Sequence, residues 1–255
     1  MQIDINADLG EAFGVYKMAD DASLLDVISS ANIACGFHAG DPLIMTRTVE
    51  QALARGVDIG AHPGFQDLAH FGRRRLPIEP KRLEAEILYQ MGALDGIART
   101  HGARVGHMSF HGALGNILYK DRGLAERLIG AIAAFDRDII MPVAPNTEIE
   151  RAAEKHGLRT LRKFFADRAY DRAGMLVSRE IAGAVIHNNA VAAARVVQLL
   201  DSGTVTTLDG ESIKISAQIV VVHSDTPGAI DLAQAIRSAV EAGGGHIVPM
   251  SRLQA

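Results

Sequence analysis

Cysteine is almost missing from this chain: Cys35 stands alone, which excludes an intrachain disulfide framework and a zinc centre built from several thiolates of one chain. Long apolar runs are missing too. No stretch approaches the ~18 residues that span a bilayer, and Met1 to Gly10 has neither the basic nor the apolar region of a secretory leader. A reducing cytoplasm is the expected compartment. Nor does one sign of charge dominate, since 26 Lys and Arg face 30 Asp and Glu for a net charge of −4. Such a chain has no field to gather nucleic acid or anionic lipid, so partners are expected among small molecules and proteins. Nucleotide and nucleophile signatures are also absent: there is no Walker loop, no Gly-x-Gly-x-x-Gly after a strand, no nucleophile elbow and no His-Glu-x-x-His. Any bound phosphate must then rest on loop amides and helix N-termini, with Gly36 to Pro42 and Ser224 to Gly228 as candidates.

What is present is a repeated alternation of short apolar segments with helical periods. The 255 residues are 48% hydrophobic and 22% charged, an ordinary globular composition with no linker to divide it, so one domain over residues 1–255 is expected. Ile3, Ile5 and Ala7 alternate as in a first strand. Further strands are read at Ser30 to Cys35, Val57 to Ala61, Val105 to Phe110, Ile139 to Val143, Thr160 to Phe165 and Gln218 to Val222. Between them Leu83, Ile87, Met91, Leu94 and Ala98 stack on one helix face, as do Ile230, Ala233, Ile236 and Val240. Asp41-Pro42 and Thr226-Pro227 read as N-caps followed by first-turn prolines, and Gly243 as a helix C-cap. Asp209-Gly210 signals a β-hairpin inserted near residues 204–216. Spacing alone fits an open doubly wound sheet or a closed barrel. Seven units without a dinucleotide fingerprint favour an α/β fold of the single-domain (β/α) barrel kind.

Unusual polar residues collect where the strands end: Asn6, Asp8 and Glu11; Asn32, His38 and Asp41; His62 and Asp67; His107 and His111; Asp167 and Arg168; His223 and Asp225. In parallel β/α folds that end carries the active site. Asp8 reads as a base or metal ligand, or as an Asx turn ending its strand. Asp41 reads first as a cap, whereas His38 on a glycine-flanked loop and His62 before Pro63-Gly64 read as functional. On a helix His107 and His111 would share a metal, but on a strand they lie ~13 Å apart. His111 is therefore the site candidate and His107 a hydrogen-bonded barrel histidine. One of Arg73, Arg74 and Arg75 is expected to turn inward toward an anion. Cys35 reads as a small core residue.

Several blocks together resemble the LamB/YcsF family, the family of 5-oxoprolinase A subunits. They are Asp4-Ile5-Asn6-Ala7-Asp8-Leu9-Gly10-Glu11, Ser30-Ala31-Asn32-Ile33-Ala34-Cys35-Gly36-Phe37-His38-Ala39-Gly40-Asp41, Gly60-Ala61-His62-Pro63, Phe71-Gly72-Arg73, Tyr89-Gln90-Met91-Gly92-Ala93-Leu94 and Phe165-Ala166-Asp167-Arg168. The match stays in register from residue 3 to about residue 230. The resemblance implies a barrel of about seven strands, like the glycoside hydrolase/polysaccharide deacetylase barrel. It also implies lactam utilisation: an amidohydrolase acting on cyclic amides, which opens 5-oxo-L-proline to L-glutamate with ATP as co-substrate, alongside B and C subunits. Carried over by motif, Asp8, Asn32, His38, His62 and His111 would line the pocket, with Asp167 and Arg168 opposite; the expected catalytic residues are Asp8, His38, His62, His111 and Asp167, and the expected substrate-binding residues are Asn6, Glu11, Asn32, Arg73, Lys163 and Arg168.

Departures fall at the same rim. Where the family reads His-Val-Lys-Pro-His-Gly-Ala-Leu-Tyr-Asn, this chain has His107-Met108-Ser109-Phe110-His111-Gly112-Ala113-Leu114-Gly115-Asn116, without the lysine and tyrosine. Lys163-Phe164 stands where the family carries Glu-Val, and His223-Ser224-Asp225 where it has His-Gly-Asp. Lys163 is expected to replace the cation missing at Ser109, because in a closed barrel their strands are one neighbour apart. These departures leave two rivals: a stand-alone metal-dependent hydrolase of the deacetylase type, with Asp8, His38 and His62 as ligands of a divalent metal, and a non-catalytic binding member.

Overall fold

Ile3, Ile5, Ala7 and Leu9 are fully buried along strand β1 (Gln2–Leu9), yet the alternate residues Asp4, Asn6 and Asp8 are buried as well. Both faces of this strand are covered, as in the centre of a parallel β/α fold. The apolar set packs outward on the helices, and the polar set turns inward. The chain, described by a computed structural model over residues 2–178, 180–224 and 228–253, continues through α1 (Asp21–Leu25), β2 (Ser30–Ala34), α2 (Pro42–Ala54), β3 (Asp58–His62), α3 (Pro80–Thr100) and β4 (His107–Met108). Next come α4 (Gly112–Leu118), α5 (Arg122–Phe135), β5 (Met141–Val143), α6 (Glu148–Lys155), β6 (Thr160–Phe165), α7 (Asn189–Ser202), β7 (Thr204–Thr206), β8 (Ser212–Lys214), β9 (Ile219–Val222), α8 (Ala229–Ala242) and β10 (His246–Ile247).

Seven strands form one parallel path in the order β4-β3-β2-β1-β9-β6-β5. A parallel bridge between His107 and Ile140 joins its two ends, with Met108 N donating to Ile140 O and Ile140 N to Gly106 O. The sheet is thus a nearly closed barrel. β4 is shorter than its apolar run suggests, although the Gly106 and Ser109 amides still donate to Ile59 and Ala61 of β3. β7 and β8 make the antiparallel hairpin expected from Asp209-Gly210, apart from the barrel. β10, which no sequence signal announced, pairs with β1.

The barrel interior has two halves. Ile140, just before β5, and strands β6 and β9 with Leu161, Phe165, Ile219 and Val221 make up one, closed below by Met250 and Leu253 of the C-terminal segment. From β1, β2 and β4 come Asp4, Asn6, Asp8, Ser30, Asn32 and His107, all buried. Helix starts follow local chemistry: Asp41 caps α2 by accepting the Leu43 and Ile44 amides, with Pro42 behind it. Gly243 ends α8. The expected cap at Thr226-Pro227 lies outside the described residues. Among the described residues, no helix is long and apolar enough to cross a membrane.

Candidate active site

At the carboxyl end of the barrel a cavity of about 280 Å³ opens. Asp8 and Glu11 reach it from the end of β1, Asn32 from β2, His62 from β3, and Ser109 and His111 from the segment after β4. Lys163 and Phe165 of β6 and His223 beyond β9 form the opposite wall, and Phe71, Arg73 and Tyr119 close the sides. A parallel barrel aligns all strand ends at one rim, so residues far apart in sequence meet there.

Three of these groups gather with His38, which does not itself line the cavity. Glu11, His38, His62 and His111 each place one oxygen or nitrogen within 4.8 Å of the others, and all four are buried. His62 Nδ1 lies 2.7 Å from the Ser109 carbonyl oxygen and His111 Nε2 lies 2.8 Å from that of Phe71. His62 Nε2 and His111 Nδ1 stand 3.0 Å apart. Glu11 Oε1 lies 3.3 Å from His38 Nε2 and 3.5 Å from His111 Nδ1. The His38 ring stacks on that of His111, with centroids 3.7 Å apart and planes 2° from parallel. Burial draws the imidazoles below their usual range, His111 to about 3 with the nearby His62 charge adding to it, while His38 and His62 also move down, burial being the first cause.

Asp8 behaves differently. Burial works to raise its pKa, but the charges of His62 and His223 and the Asn32 hydrogen bond outweigh that and hold the carboxyl below its usual range. It is ionised, 3.5 Å from His62 Nε2. Asn32 Nδ2 donates to Asp8 Oδ1 at 2.8 Å and to Asn6 Oδ1 at 2.6 Å, and Asn6 Nδ2 donates to the Ser30 carbonyl. Asn6 therefore stands one layer below the cavity and orients Asn32, which in turn fixes Asp8. Asp8 is outside the four-residue group that includes His38, so the structure does not assemble the ligand trio Asp8, His38 and His62 as such.

Lys163 points inward in the alternation set by Leu161 and Phe165, and its Nζ donates to Ser109 Oγ at 3.3 Å. The rings of Tyr119 and Phe165 flank the ammonium at 5.9 and 5.5 Å. Asp167 does not line the cavity; it sits behind His223, 3.1 Å from His223 Nδ1. Burial would raise its pKa, but the His223 hydrogen bond and charge bring it below the usual range. Arg168 borders the cavity while donating to the Val177 and Ala184 carbonyls. Of the three arginines, only Arg73 lines the cavity, stacking over Phe71 at 5.2 Å, while Arg74 pairs with Asp67 away from it.

His107 lies inside the barrel, but not as the hydrogen-bonded histidine expected. Neither ring nitrogen makes a hydrogen bond of good geometry among the described residues, and burial lowers its pKa to about 4. It packs over Gly60, where an added Cβ would fall 2.1 Å from His107 Nε2. Cys35 is a core residue whose thiol burial pushes up to about 12. Residues that sequence reasoning missed include Tyr119, one helical turn past Gly115 and without any local signal, and the Ser109 and Phe71 carbonyls, which residue type cannot reveal. Asp225 lies outside the described residues.

The LamB/YcsF family model matches residues 3–255. The chain is 54% identical over 253 residues to a protein of Pseudomonas syringae pv. tomato named as a 5-oxoprolinase A subunit, covering 99% of each. To a 5-oxoprolinase A subunit of Ralstonia nicotianae it is 53% identical over 252 residues, covering 99% of this chain and 97% of that one. Among solved structures, the crystal structure of the lactam utilization protein from Thermus thermophilus superimposes with a TM-score of 0.94 at 38% identity, over 98% of this chain and 100% of the other.

Proposed function

Because the chain belongs to the LamB/YcsF family, we propose that it is the A subunit of a 5-oxoprolinase, opening the lactam of 5-oxo-L-proline to L-glutamate. The observation that carries this reading is similarity along the whole chain, above 50% identity, to proteins of that name. B and C subunits would act with it and ATP would be its co-substrate, which suits action in the cytoplasm. The site is compatible in size and charge. Its volume of about 280 Å³ lies just below the ~300–1,000 Å³ typical of ligand pockets, enough for one amino-acid-sized molecule. Lys163 and Arg73 offer cations to the substrate carboxylate.

The chemistry explains the need for ATP. A lactam is a stable amide; transfer of the ATP γ-phosphoryl to its oxygen would release ADP and leave a carbon that water can attack. The adduct would break its C–N bond with the ring nitrogen leaving as the protonated amine, and a second water would release phosphate from the acyl phosphate to give glutamate. Asp8, ionised beside His62, is the group placed to take a proton from the first water, with His62 and His111 lining the same wall. Asp167 would act through His223, holding its ring toward the cavity. Purified chain, with and without B and C subunits and ATP, is the direct test. Glutamate should be released from 5-oxoproline only by the complete mixture, and His111→Ala should lower that turnover ~10² to 10⁴ fold. Amide cleavage by the chain alone without ATP would overturn the reading, as would binding without turnover in every mixture.

A further inference from the structure

We propose that Glu11, His62 and His111 bind a divalent transition metal of the zinc class at the inner wall of the cavity. Two tautomers are fixed by their surroundings. A carbonyl oxygen only accepts, so His62 Nδ1, 2.7 Å from Ser109 O, and His111 Nε2, 2.8 Å from Phe71 O, must both carry hydrogens. In the neutral rings the other nitrogens, His62 Nε2 and His111 Nδ1, are bare lone pairs, and they face each other at 3.0 Å. Two acceptors at that distance repel unless a positive centre lies between or beside them. A metal ion satisfies both lone pairs and has the Glu11 carboxylate within reach as a third donor, its Oε1 3.5 Å from His111 Nδ1.

The distances and the surroundings agree with such a centre. Zinc held at ~2.0–2.1 Å by tetrahedral donors separates them by ~3.3–3.4 Å, and the observed separations of 3.0 and 3.5 Å bracket that edge. Histidines that bind metals give their second N–H to a carbonyl or carboxylate, and both rings here donate to backbone carbonyls. His38 is not a ligand in this arrangement. Its ring stacks face to face on His111, so its lone pairs run beside those of His111 and do not converge with them. Its Nε2 is 3.3 Å from Glu11 Oε1, placed to orient the carboxylate. Two histidines and one glutamate leave the side toward the cavity open, where a metal supplies Lewis acidity toward a ligand oxygen.

This site does not depend on the lactam reading, and its test needs no substrate. Purified chain stripped with a chelator and equilibrated with zinc should retain about one equivalent by elemental analysis, and cobalt should give the visible absorption of a low-coordinate nitrogen and oxygen site. His62→Ala and His111→Ala should lose the ion. Glu11→Gln, which keeps size and shape, should weaken it, and His38→Gln should lower affinity ~10- to 100-fold without abolishing it. Thermal melts of the stripped proteins establish that each variant folds. Wild-type chain that retains neither zinc, cobalt nor manganese overturns the proposal. So does full metal retention by the His62→Ala, His111→Ala double variant, or a nitrogen-15 spectrum showing one ring protonated on both nitrogens in the equilibrated wild type.

Discussion

Lys163 carries its ammonium into the cavity with only 8% of the residue exposed. Ser109 Oγ is its hydrogen-bond partner, and no carboxylate among the described residues pairs with it. A buried cation without a counter-ion is costly, so a site that keeps one is built for a ligand that brings the negative charge. Lys163→Met should therefore weaken binding of 5-oxoproline ~10- to 100-fold, the scale of one charged hydrogen bond, measured by calorimetry. Lys120→Met, at an exposed position, should leave affinity unchanged. Equal affinity in the two variants would remove Lys163 from the site. The exchange was legible in the sequence because period-two alternation puts Lys163 on the same face as Leu161 and Phe165. Its partner was legible because strand order puts β6 one neighbour from β4.

Between β3 and α3 the chain makes a short 3₁₀ turn, Leu68–His70, and then two left-handed residues, Phe71 at φ 55° and Gly72 at φ +62°. That bend turns the Phe71 carbonyl onto His111 and brings the Gly72 backbone against both stacked histidines. A Cβ on Gly72 would fall 2.8 Å from His111 Cδ2 and 2.8 Å from His38 Cβ. Gly72→Ala thus combines a left-handed backbone that costs an L-residue ~1 kcal/mol with a clash that only movement of the histidines relieves. Its melting temperature should fall by several degrees and zinc affinity should drop with it, whereas Arg73→Ala in the same loop should keep both. A Gly72→Ala protein that binds zinc like wild type would show the histidine pair to be independent of this loop. Phe71-Gly72 is visible in the sequence as a turn, but a turn signal says nothing of what packs behind it.

The barrel stores polar groups along β1, β2 and β4 of its interior, and Asp4 is one of them. It is fully buried, accepts from Ser29 and Ser30 at 2.6 Å each, and burial raises its pKa from the ordinary 3.8 to about 7. A carboxyl held more tightly protonated in the fold than in the unfolded chain stabilises the fold fully below 3.8. That contribution is lost as pH climbs toward about 7, beyond which the fold must enclose a charge. Wild-type stability should thus decline between about pH 4 and 7 in part through this group, and Asp4→Asn should flatten the decline and melt higher than wild type at pH 8. Parallel pH curves for the two proteins would refute the assignment. The C-terminal turn tightens the same end of the barrel: Met250 N donates to Ser30 Oγ and Ser251 N to Asp58 Oδ2.

Sequence alone determined what depends on near neighbours: the alternation of Ile3, Ile5 and Ala7, the cap at Asp41-Pro42, the hairpin at Asp209-Gly210 and the enrichment of carboxylates and imidazoles just past the strands. Each follows from side-chain period, capping or turn chemistry acting over a few residues, and so is written in a short window. Tertiary structure decided which of those polar residues meet. His62 and His111 are 49 positions apart and touch at 3.0 Å because β3 and β4 pair in parallel. His107, four residues before His111, is left inside the barrel over Gly60 while His111 turns out at the head of α4. Closure rests on one bridge, His107 to Ile140, and the proton positions on His62 and His111 rest on two backbone carbonyls. Neither a bridge nor a carbonyl direction has a residue type, so only the folded chain could reveal them.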